Sequence, residues 1–368
     1  MLLSKEILFS CFIIIVAVLA YGFANFLMFL GINRRVYNFL PGECSVAGAF
    51  EDGIMDLDSS FQGTVIITTG NGLNDEVQSA RAGGIFGLST DNRSSWELSR
   101  LGGPIKVNVG HFALAHTLGP KNHNLQRLFL INNHKIGSSI EQYVLREEMK
   151  MLEHEKTIKS KYFKNIHDLA GVDGNRFYVT RYTTSNDLMA QRFEKLFSME
   201  WGQILFYDGQ ETRIVESRIS TPAGVVFDPL RRYLFVSSHM SEKLIVYQVL
   251  GNYNLQRIKE IPLDTAPYSL WMDIDGSLIA TAHPIKFKHF YYETNPSANH
   301  SPTQVIRILA KPRSNRTTRI DYLYANDGAS LSGATIAMRT ANQLLLASPF
   351  QTLISCELPM QMNQKGKR

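Results

Sequence analysis

A short apolar segment that ends in small or polar residues recurs six times along the chain, at intervals of about 45 to 66 residues. Each copy follows a turn, and most copies are followed within a few residues by a second apolar run, which predicts pairs of β-strands. The six copies are GTVIITTG (63–70), QRLFLINNH (126–134), NRFYVTRY (175–182), RRYLFVSSH (231–239), GSLIATAHP (276–284) and NQLLLASPF (342–350). The second runs include GGIFGLST (83–90), GQILFYDG (202–209), KLIVYQV (243–249) and TLISCEL (352–358).

A sheet unit of this size cannot bury its apolar face alone, so repeated units stack on their neighbours. Six similar units predict an all-β fold, a six-bladed β-propeller. The chain has 368 residues and 44% apolar content, enough for one large buried core, and we expect no internal linker. Functional residues are expected on the loops that face the central channel.

The N-terminal residues 7–32 contain no charged side chain. As a helix, this segment is longer than the roughly 30 Å hydrocarbon core of a bilayer, so it predicts a single transmembrane signal anchor. The alternative is a signal peptide cleaved after Ala20, but that cleavage leaves the uncharged residues 21–32 at the new N-terminus. The expected organisation is a short cytosolic N-terminus at 1–6, the anchor at 7–32, the propeller at 36–359 and a basic tail at 360–368.

The flanking charges and the glycosylation sequons give opposite indications about orientation. Arg34 and Arg35 follow the apolar segment and favour a cytosolic propeller by the positive-inside bias. Sequons at Asn92, Asn299 and Asn315 can be modified only in the lumen, so they favour a luminal propeller and a glycoprotein.

The cysteines decide between these orientations. Cys11 lies in the apolar segment, whereas Cys44 and Cys356 lie near opposite ends of the predicted propeller. Because the first and last blades of a ring are neighbours, a disulfide between these two would close it, and it requires an oxidising compartment. The alternative is two free buried cysteines. We expect a single-pass type II protein of the endoplasmic reticulum or plasma membrane, with the propeller luminal or extracellular.

Two function classes find no support in the sequence. The net charge of +5 is spread out, with no basic run beyond the C-terminal tail, so we expect no nucleic-acid partner. There is also no Gly-x-Ser-x-Gly motif of the kind that presents a nucleophilic serine, because GASLSG (328–333) has the wrong spacing.

Seven segments, in order and spacing, resemble the paraoxonase family of calcium-dependent lactonases and arylesterases. The likeness covers most of residues 40–359. The segments are FEDGIMDLD (50–58), LINNH (130–134), KNIHDLAGVDGNRFYVT (164–180), STPAGVVFDPLRRYLFVSSHMSEKLIVYQV (220–249), DGSLIATAHP (275–284), YANDGASLSGATIA (324–337) and ISCELP (354–359). The resemblance implies a six-bladed propeller with a retained N-terminal hydrophobic segment and a disulfide that joins its two ends.

The resemblance also implies five ligand positions for a catalytic calcium ion in the channel. The first position is kept, as Glu51. The other four fall at His167, Ala223, Pro267 and Tyr268. His167 offers a nitrogen ligand, Ala223 and Pro267 offer no side-chain oxygen, and Tyr268 offers a weak oxygen donor. Since calcium needs six to eight oxygen ligands, we expect that the catalytic ion is lost.

Two further features are implied by the resemblance. A proton-handling pair of histidines falls at His111 and His134, and we interpret both as structural remnants because the polarising ion is missing. A second, structural calcium ion falls at Asp52, beside Glu51, and at Asp168, with a backbone carbonyl near Ala113, and we expect it to be kept. The alternative is that the two aspartates only bond backbone amides around the channel.

The eroded site and the anchor resemble a nematode branch of the family, whose membrane proteins assist degenerin-type sodium channels. We therefore expect a non-catalytic chaperone or accessory subunit for membrane ion channels of the degenerin/epithelial sodium channel type. Its partners are channel subunits or other membrane protein clients, and the bilayer through residues 7–32. The alternatives are a calcium- or zinc-dependent lactonase or arylesterase with a rebuilt site, and a propeller that binds lipid or small molecules. Whether the protein is an enzyme is left open, but the loss of the calcium ligands favours a protein without enzymatic activity.

Overall fold

The protein consists of an N-terminal helix followed by six sheets arranged in a ring. The computed structural model describes residues 5–48, 50, 53–70, 83–90, 94–116, 125–134, 137–313, 318–350 and 353–359. The six-bladed β-propeller predicted from the repeats is confirmed. The predicted basic tail at 360–368 lies outside the described residues.

Helix α1 spans Lys5–Phe29. Its segment Phe9–Phe29 is long and apolar enough to cross a membrane, and none of its most apolar stretch is buried in the protein. A helix that belongs to a soluble core would bury such side chains. The helix is therefore compatible with the predicted single-pass anchor.

The strands are numbered in chain order, and β1 is Cys44–Gly48. Blade 1 contains β2 (Ile54–Ser59), β3 (Val65–Thr69), β4 (Ile85–Leu88) and β5 (Ser95–Glu97). Blade 2 contains β6 (Ser99–Leu101), β7 (Val109–His116), β8 (Gln126–His134), β9 (Gly137–Arg146) and β10 (Met151–Ile158), with a 3₁₀ turn at Glu147–Met149. Blade 3 contains β11 (Ile166–Gly171), β12 (Phe177–Arg181), β13 (Gly202–Tyr207) and β14 (Thr212–Ile219). Blade 4 contains β15 (Pro222–Asp228), β16 (Tyr233–Ser238), β17 (Lys243–Val249) and β18 (Leu255–Pro262). Blade 5 contains β19 (Pro267–Met272), β20 (Leu278–Ala282), β21 (Thr303–Leu309) and β22 (Arg319–Asn326), and blade 6 contains β23 (Ile336–Arg339), β24 (Gln343–Ala347) and β25 (Leu353–Glu357).

The six recurrent segments of the sequence form the second strand of each blade: β3, β8, β12, β16, β20 and β24. These strands are buried on both faces because each blade packs between two neighbours; every residue of β3, β16 and β20 is buried. The first strands of the blades contact one another around the central axis. Residues on the first strands and at their ends therefore face the channel.

The ring is closed by strand β1, which pairs antiparallel with β25 and completes blade 6. Cys44 lies directly opposite Cys356 in this pairing, and the two form the predicted disulfide. The first and last parts of the propeller are thus joined both by strand hydrogen bonds and by a covalent bond.

One face of the ring carries the connections between second and third strands, because neighbouring strands are antiparallel. Two of these connections contain helices, α2 (Leu188–Leu196) in blade 3 and α3 (Lys286–Thr294) in blade 5. We refer to this side as the helical face. The end of α1 reaches it, where the Phe287 amide donates to the Leu30 carbonyl over 3.1 Å.

Candidate functional site

A cavity of about 640 Å³ lies at the helical face, close to the axis. Three histidines contribute to its lining: His111 from β7, His134 at the end of β8 and His167 from β11. Met55 and Tyr268 line it from the first strands of blades 1 and 5. The cavity therefore brings together several of the residues that the sequence singled out.

Below this cavity, two buried carboxylates join neighbouring blades. Asp56 on β2 accepts the amide of Phe112 on β7 at 3.1 Å, which links blades 1 and 2. Asp168 on β11 accepts the amide of Val225 on β15 at 2.9 Å, which links blades 3 and 4. Each carboxylate thus holds two inner strands together at the axis.

His111 completes this group. Its Nδ1 lies 3.2 Å from Oδ2 of Asp56, and ligand atoms of His111, Asp56 and Asp168 all lie within 4.8 Å of one another. Burial opposes protonation of His111, but the two nearby carboxylates outweigh burial and raise its pKa above the ordinary value. Burial raises the pKa of Asp168 to about 7, against the attraction of His111.

The carboxylate that sequence reasoning missed is Asp56. We paired Asp168 with Asp52 and Glu51, but both of these lie outside the described residues, so their roles stay predictions. In the part of the chain that the structure describes, Asp56 lies beside Asp168, and its partner amide at Phe112 is adjacent to the predicted backbone site at Ala113. A carboxylate inside the buried strand β2 was the signal that could have identified it.

The predicted positions of the lost calcium ligands converge on the axis. The ring centroids of His167 and Tyr268 are 4.7 Å apart, at an interplanar angle of 88°. Ala223, Tyr182 and Tyr268 form one buried cluster, and Pro267 precedes Tyr268 at the start of β19. This part of the axis is filled by packed rings.

His167 itself is an unpartnered base. Neither of its ring nitrogens has a hydrogen-bond partner in the part of the chain that the structure describes. Burial, reinforced by neighbouring His111 and His239, lowers the pKa of His167 well below its ordinary value. It is therefore neutral at neutral pH, and it stacks on His111 at a centroid distance of 4.8 Å.

The two histidines of the predicted proton-handling pair line the same cavity but have separate partners. His111 contacts Asp56, whereas Nε2 of His134 lies 3.1 Å from the Ser139 hydroxyl. His134 is exposed and His111 is buried. Both imidazoles belong to blade 2, but His111 contacts blade 1 through Asp56, whereas His134 contacts Ser139 within blade 2.

A second group of buried histidines meets on the other side of Tyr268. His239 follows β16, His283 follows β20, and His289 lies in α3. The rings of His283 and His289 stack at a centroid distance of 3.6 Å, and His239 lies 5.4 Å and 5.5 Å from them. Burial and the neighbouring imidazoles lower the pKa values of His239 and His283 well below the ordinary value, so both are neutral at neutral pH.

Sequence reasoning did not single out this group. A signal was present in the repeat, because the second strand ends next to a histidine in three blades, at His134, His239 and His283. The third member, His289, comes from the helix inserted after His283 and gives no repeat signal. Their meeting depends on how blades 4 and 5 pack together.

The end of the anchor helix is fixed to the helical face by charged groups. Both guanidinium NH groups of Arg34 donate to the Glu242 carboxylate, at 2.7 and 2.8 Å. Lys286 lies 3.1 Å from the same carboxylate, and its ammonium group sits 3.4 Å from the ring centroid of Phe29. The anchor therefore continues into the propeller through an ion pair and a cation–π contact.

Helix α2 lies beside this junction, since the Phe197 ring stacks on Phe26 of the anchor at 5.5 Å. Around it lies a group of large apolar side chains that are 46% to 68% exposed. We call this group the helical-face patch: Leu188, Met189, Phe193, Phe197, Trp201 and Tyr291. Through Phe197, the helical-face patch contacts helix α1.

A family model described as arylesterase matches residues 15–358, nearly the whole propeller and most of the anchor. The chain belongs to the arylesterase family. It is 29% identical over 346 residues to Mechanosensory abnormality protein 6 of Caenorhabditis elegans, with 90% of each chain covered. It is 25% identical over 329 residues to Serum paraoxonase/lactonase 3 of Oryctolagus cuniculus, covering 86% of this chain and 89% of that protein.

Solved structures with the same fold are more distant in sequence. A luciferin-regenerating enzyme aligns with a TM-score of 0.56 at 8% identity, over 87% of this chain and 96% of that chain. A Trichoderma reesei carbohydrate-active enzyme of family AA12 aligns with a TM-score of 0.54 at 10% identity, over 88% and 97%. At these identities the likeness shows the propeller fold alone.

Among the described residues, those at the catalytic-ion positions of this arylesterase-family chain do not fit calcium. His167 offers nitrogen, Ala223 and Pro267 offer no side-chain donor, and Tyr268 offers a neutral phenol in a ring cluster. Calcium prefers carboxylate and carbonyl oxygens in large number. Activation of a substrate by an ion at these positions finds no support in this geometry.

The carboxylate group gives a different result for a structural ion. Asp56 and Asp168 supply two buried carboxylates close together, next to the backbone at Phe112, a donor set that suits calcium. An ion there would join the inner strands of blades 1 and 3. Asp56 and Asp168 both accept backbone amides, as the stated alternative expects for Asp168, whereas Asp52 lies outside the described residues.

Of the three predicted glycosylation sites, Asn92 and Asn315 lie outside the described residues. Asn299 lies in the partly exposed loop after α3. Its side-chain amide donates to the carbonyls of Asn295 and Tyr291, at 3.0 and 3.3 Å. Glycosylation at all three sites stays a prediction.

Proposed function

We propose that the protein is a non-hydrolytic, membrane-anchored member of the arylesterase family that acts as a chaperone or accessory subunit for membrane ion channels. The clients we propose are channel subunits of the degenerin/epithelial sodium channel type, whose folding, assembly or surface activity it aids. The observation that carries the proposal is the packed ring cluster of His167, Tyr182 and Tyr268 at the axis. His167 and Tyr268 stand at positions that the family resemblance gives to ligands of the catalytic ion, which supports the proposal.

The chemical reason is the missing electrophile. A bound cation that polarises a lactone or ester carbonyl stabilises the developing oxyanion by several kcal/mol, usually the largest single contribution to such a reaction. Neutral His167 and the alanine at position 223 supply neither charge nor oxygen ligands. Imidazoles such as His134 can still exchange protons, but without that cation they have little to act on.

Similarity to a named relative supports the choice of client. Mechanosensory abnormality protein 6 aligns over 90% of both chains. A relation to mechanosensation fits a partner in the plasma membrane or on the route to it. The apolar helix α1 supplies the means to meet such a partner in the same bilayer.

The junction between anchor and propeller supports a defined geometry. Arg34, Glu242 and Lys286 hold the helical face next to the end of α1. This contact supports the proposal that the helical face is directed toward the membrane surface. Holding two proteins in one membrane raises their effective concentration and strengthens a weak contact. The helical-face patch is then the surface that reaches a client beside the anchor or the lipid headgroups.

The test is co-expression of the full chain with a degenerin-type channel subunit in oocytes, with surface biotinylation and current as readouts. Wild type should raise surface channel and current severalfold. The double variant Met189→Asp with Phe193→Asp changes the helical-face patch and should lose most of this effect. The matched control, Leu230→Asp with Ile274→Asp, changes two side chains that are 94% and 99% exposed at turns of the opposite face, and it should retain the effect.

The outcomes separate the proposal from its competitors. No increase in channel level or current with wild type contradicts the accessory function. Equal loss in both double variants contradicts the role of the helical face. Removal of glycans by an endoglycosidase, with Asn299→Gln as a reference, reports on the luminal orientation.

A hydrolase is the second candidate, because the cavity of about 640 Å³ is lined by three imidazoles in a family of esterases. The full chain in mild detergent should show no turnover of lactones or aryl esters, with calcium or zinc, above the His134→Gln variant. Turnover in wild type that is abolished in His134→Gln overturns the non-hydrolytic assignment. The two readouts, channel support and turnover, are independent.

A further inference from the structure

The buried histidines His239, His283 and His289 take no part in the functions above. They lie at the boundary of blades 4 and 5, under helix α3, and each is less than 7% exposed. One ring nitrogen of each lies within 4.8 Å of the others. Three imidazoles buried together require an explanation, because each carries a polar edge that burial separates from water.

Each of the three imidazoles is fixed by the protein through one nitrogen. Nδ1 of His239 lies 2.7 Å from the Tyr182 hydroxyl, and Nε2 of His283 donates to the Ala334 carbonyl over 3.0 Å. Nδ1 of His289 lies 3.0 Å from the Ser301 hydroxyl. Histidines that bind metals are held in this way, with the second nitrogen bonded to the protein and the first left for the ion.

The other nitrogens are the ones available to a ligand. Nε2 of His239 and Nδ1 of His283 are 3.3 Å apart. Two nitrogens at about 2.0–2.1 Å from a tetrahedral ion are separated by about 3.3 Å. Nε2 of His289 has no hydrogen-bond partner among the described residues, and its nearest charged neighbour is Glu293, at 3.5 Å.

We propose that His239, His283 and His289 form a binding site for a divalent transition-metal ion of the zinc class. Three nitrogen donors disfavour calcium and suit zinc, whose remaining position is filled by Glu293 or by water. Binding requires the stacked rings of His283 and His289 to rotate apart. His239 must also carry its ring proton on Nδ1, which then donates to the Tyr182 hydroxyl and leaves Nε2 free for the ion. The ion would then tie β16, β20 and α3 together at one point.

The site differs in place and chemistry from the carboxylate group at Asp56 and Asp168. Tyr268 lies between them, in ring contact with His239 and with His167. The carboxylate group offers oxygens for a hard cation, whereas the three-histidine site offers nitrogens alone. An experiment can therefore distinguish the two by the metal that each prefers.

The test uses the full chain in mild detergent, freed of metal with a chelator and then titrated with cobalt(II) and zinc(II). Cobalt bound by three histidines in a tetrahedral site gives intense visible absorption, and zinc should displace it. We expect one ion per chain by elemental analysis after dialysis. Excess calcium should leave the cobalt spectrum unchanged.

Two variants, His239→Phe and His289→Phe, keep a ring of similar volume and remove one ligand each. Both should weaken cobalt binding at least about 100-fold, since one of the three protein ligands is lost. The matched control is His167→Phe, an imidazole that also contacts Tyr268 but lies outside the site, and it should bind normally. Tyr182→Phe keeps all three ligands, removes the partner of His239 and should weaken binding by about 10- to 100-fold.

Tyr182→Phe keeps the test decisive if a histidine variant fails to fold. The proposal is overturned if wild type binds no cobalt or zinc above the chelated background. It is also overturned if both histidine variants bind as wild type does, or if binding is lost in Asp168→Asn but kept in His289→Phe. If wild type binds no metal, His239 and His283 form only a hydrogen-bonded relay from the Tyr182 hydroxyl to the Ala334 carbonyl, with the ring of His289 stacked on His283.

Discussion

The Cys44–Cys356 disulfide should dominate the stability of the ring. It joins residues 312 positions apart. By the chain-entropy relation, a crosslink that closes a loop of this length lowers the conformational entropy of the unfolded chain and so raises the free energy of unfolding by roughly 6 kcal/mol. The double variant Cys44→Ala with Cys356→Ala removes the bond. Cys356 is fully buried, so alanine leaves a small void that costs about 1 kcal/mol but introduces no unpartnered hydroxyl.

The blade itself should survive this change. Strand β1 keeps its antiparallel pairing with β25 through Ser45, Val46 and Gly48, and those backbone hydrogen bonds do not depend on the sulfur atoms. The native structure is therefore retained while the free energy of unfolding falls. The expected loss is far larger than that of a typical point substitution.

The assay is urea unfolding of the full chain in mild detergent, followed by near-ultraviolet circular dichroism. For a slope of about 3 kcal/mol per molar urea, the midpoint should fall by roughly 2 M in the double variant. A reductant should move the wild-type midpoint to the same value and leave the variant unchanged. Midpoints that agree within about 0.3 M under oxidising conditions would refute the account of ring closure by the disulfide.

Three further predictions concern the junction and the core. Arg34→Ala removes a bidentate partner of half-buried Glu242 and should cost roughly 2 kcal/mol in urea unfolding, whereas Arg35→Ala, at the exposed neighbour, should cost little. Burial raises the pKa of Glu242, but the hydrogen bonds and positive charges of Arg34 and Lys286 together outweigh burial and hold the pKa below its ordinary value. Wild type should therefore have a larger free energy of unfolding than Glu242→Gln above the ordinary glutamate pKa of about 4.3. This difference should disappear as the pH falls through the lower folded-state pKa. A difference that grows on acidification contradicts the prediction. Gly224→Ala places a methyl group 2.6 Å from a backbone nitrogen of the next blade and should cost roughly 1–3 kcal/mol in thermal unfolding, whereas Gly251→Ala, which meets nothing within 4 Å, should be neutral.

The fold was predictable because the second strand of each blade is buried on both faces. Strand β16, for example, is buried at all six positions, so its sequence is a short continuous apolar run that is easily recognised. The first strands are harder to predict, because they face the channel and carry polar residues. Asp56 in β2 is the example that matters most here, since burial of its carboxylate depends on the amide of Phe112 in another blade.

The candidate site was predictable only where one segment or one covalent bond determines it. The cysteine pair follows from ring closure, and Asp168 lies in a recognisable segment. The three histidines His239, His283 and His289 lie in two different blades and an inserted helix, and their rings meet only after the blades pack. No local sequence pattern predicts that these three rings come into contact.

Strand β1 precedes every blade in the chain, whereas its partner β25 follows all the other described strands. While the blades are synthesised in order, the ring therefore stays open, with unpaired strand edges at both of its ends. Synthesis of β25, rather than completion of any earlier blade, is the event that pairs these edges.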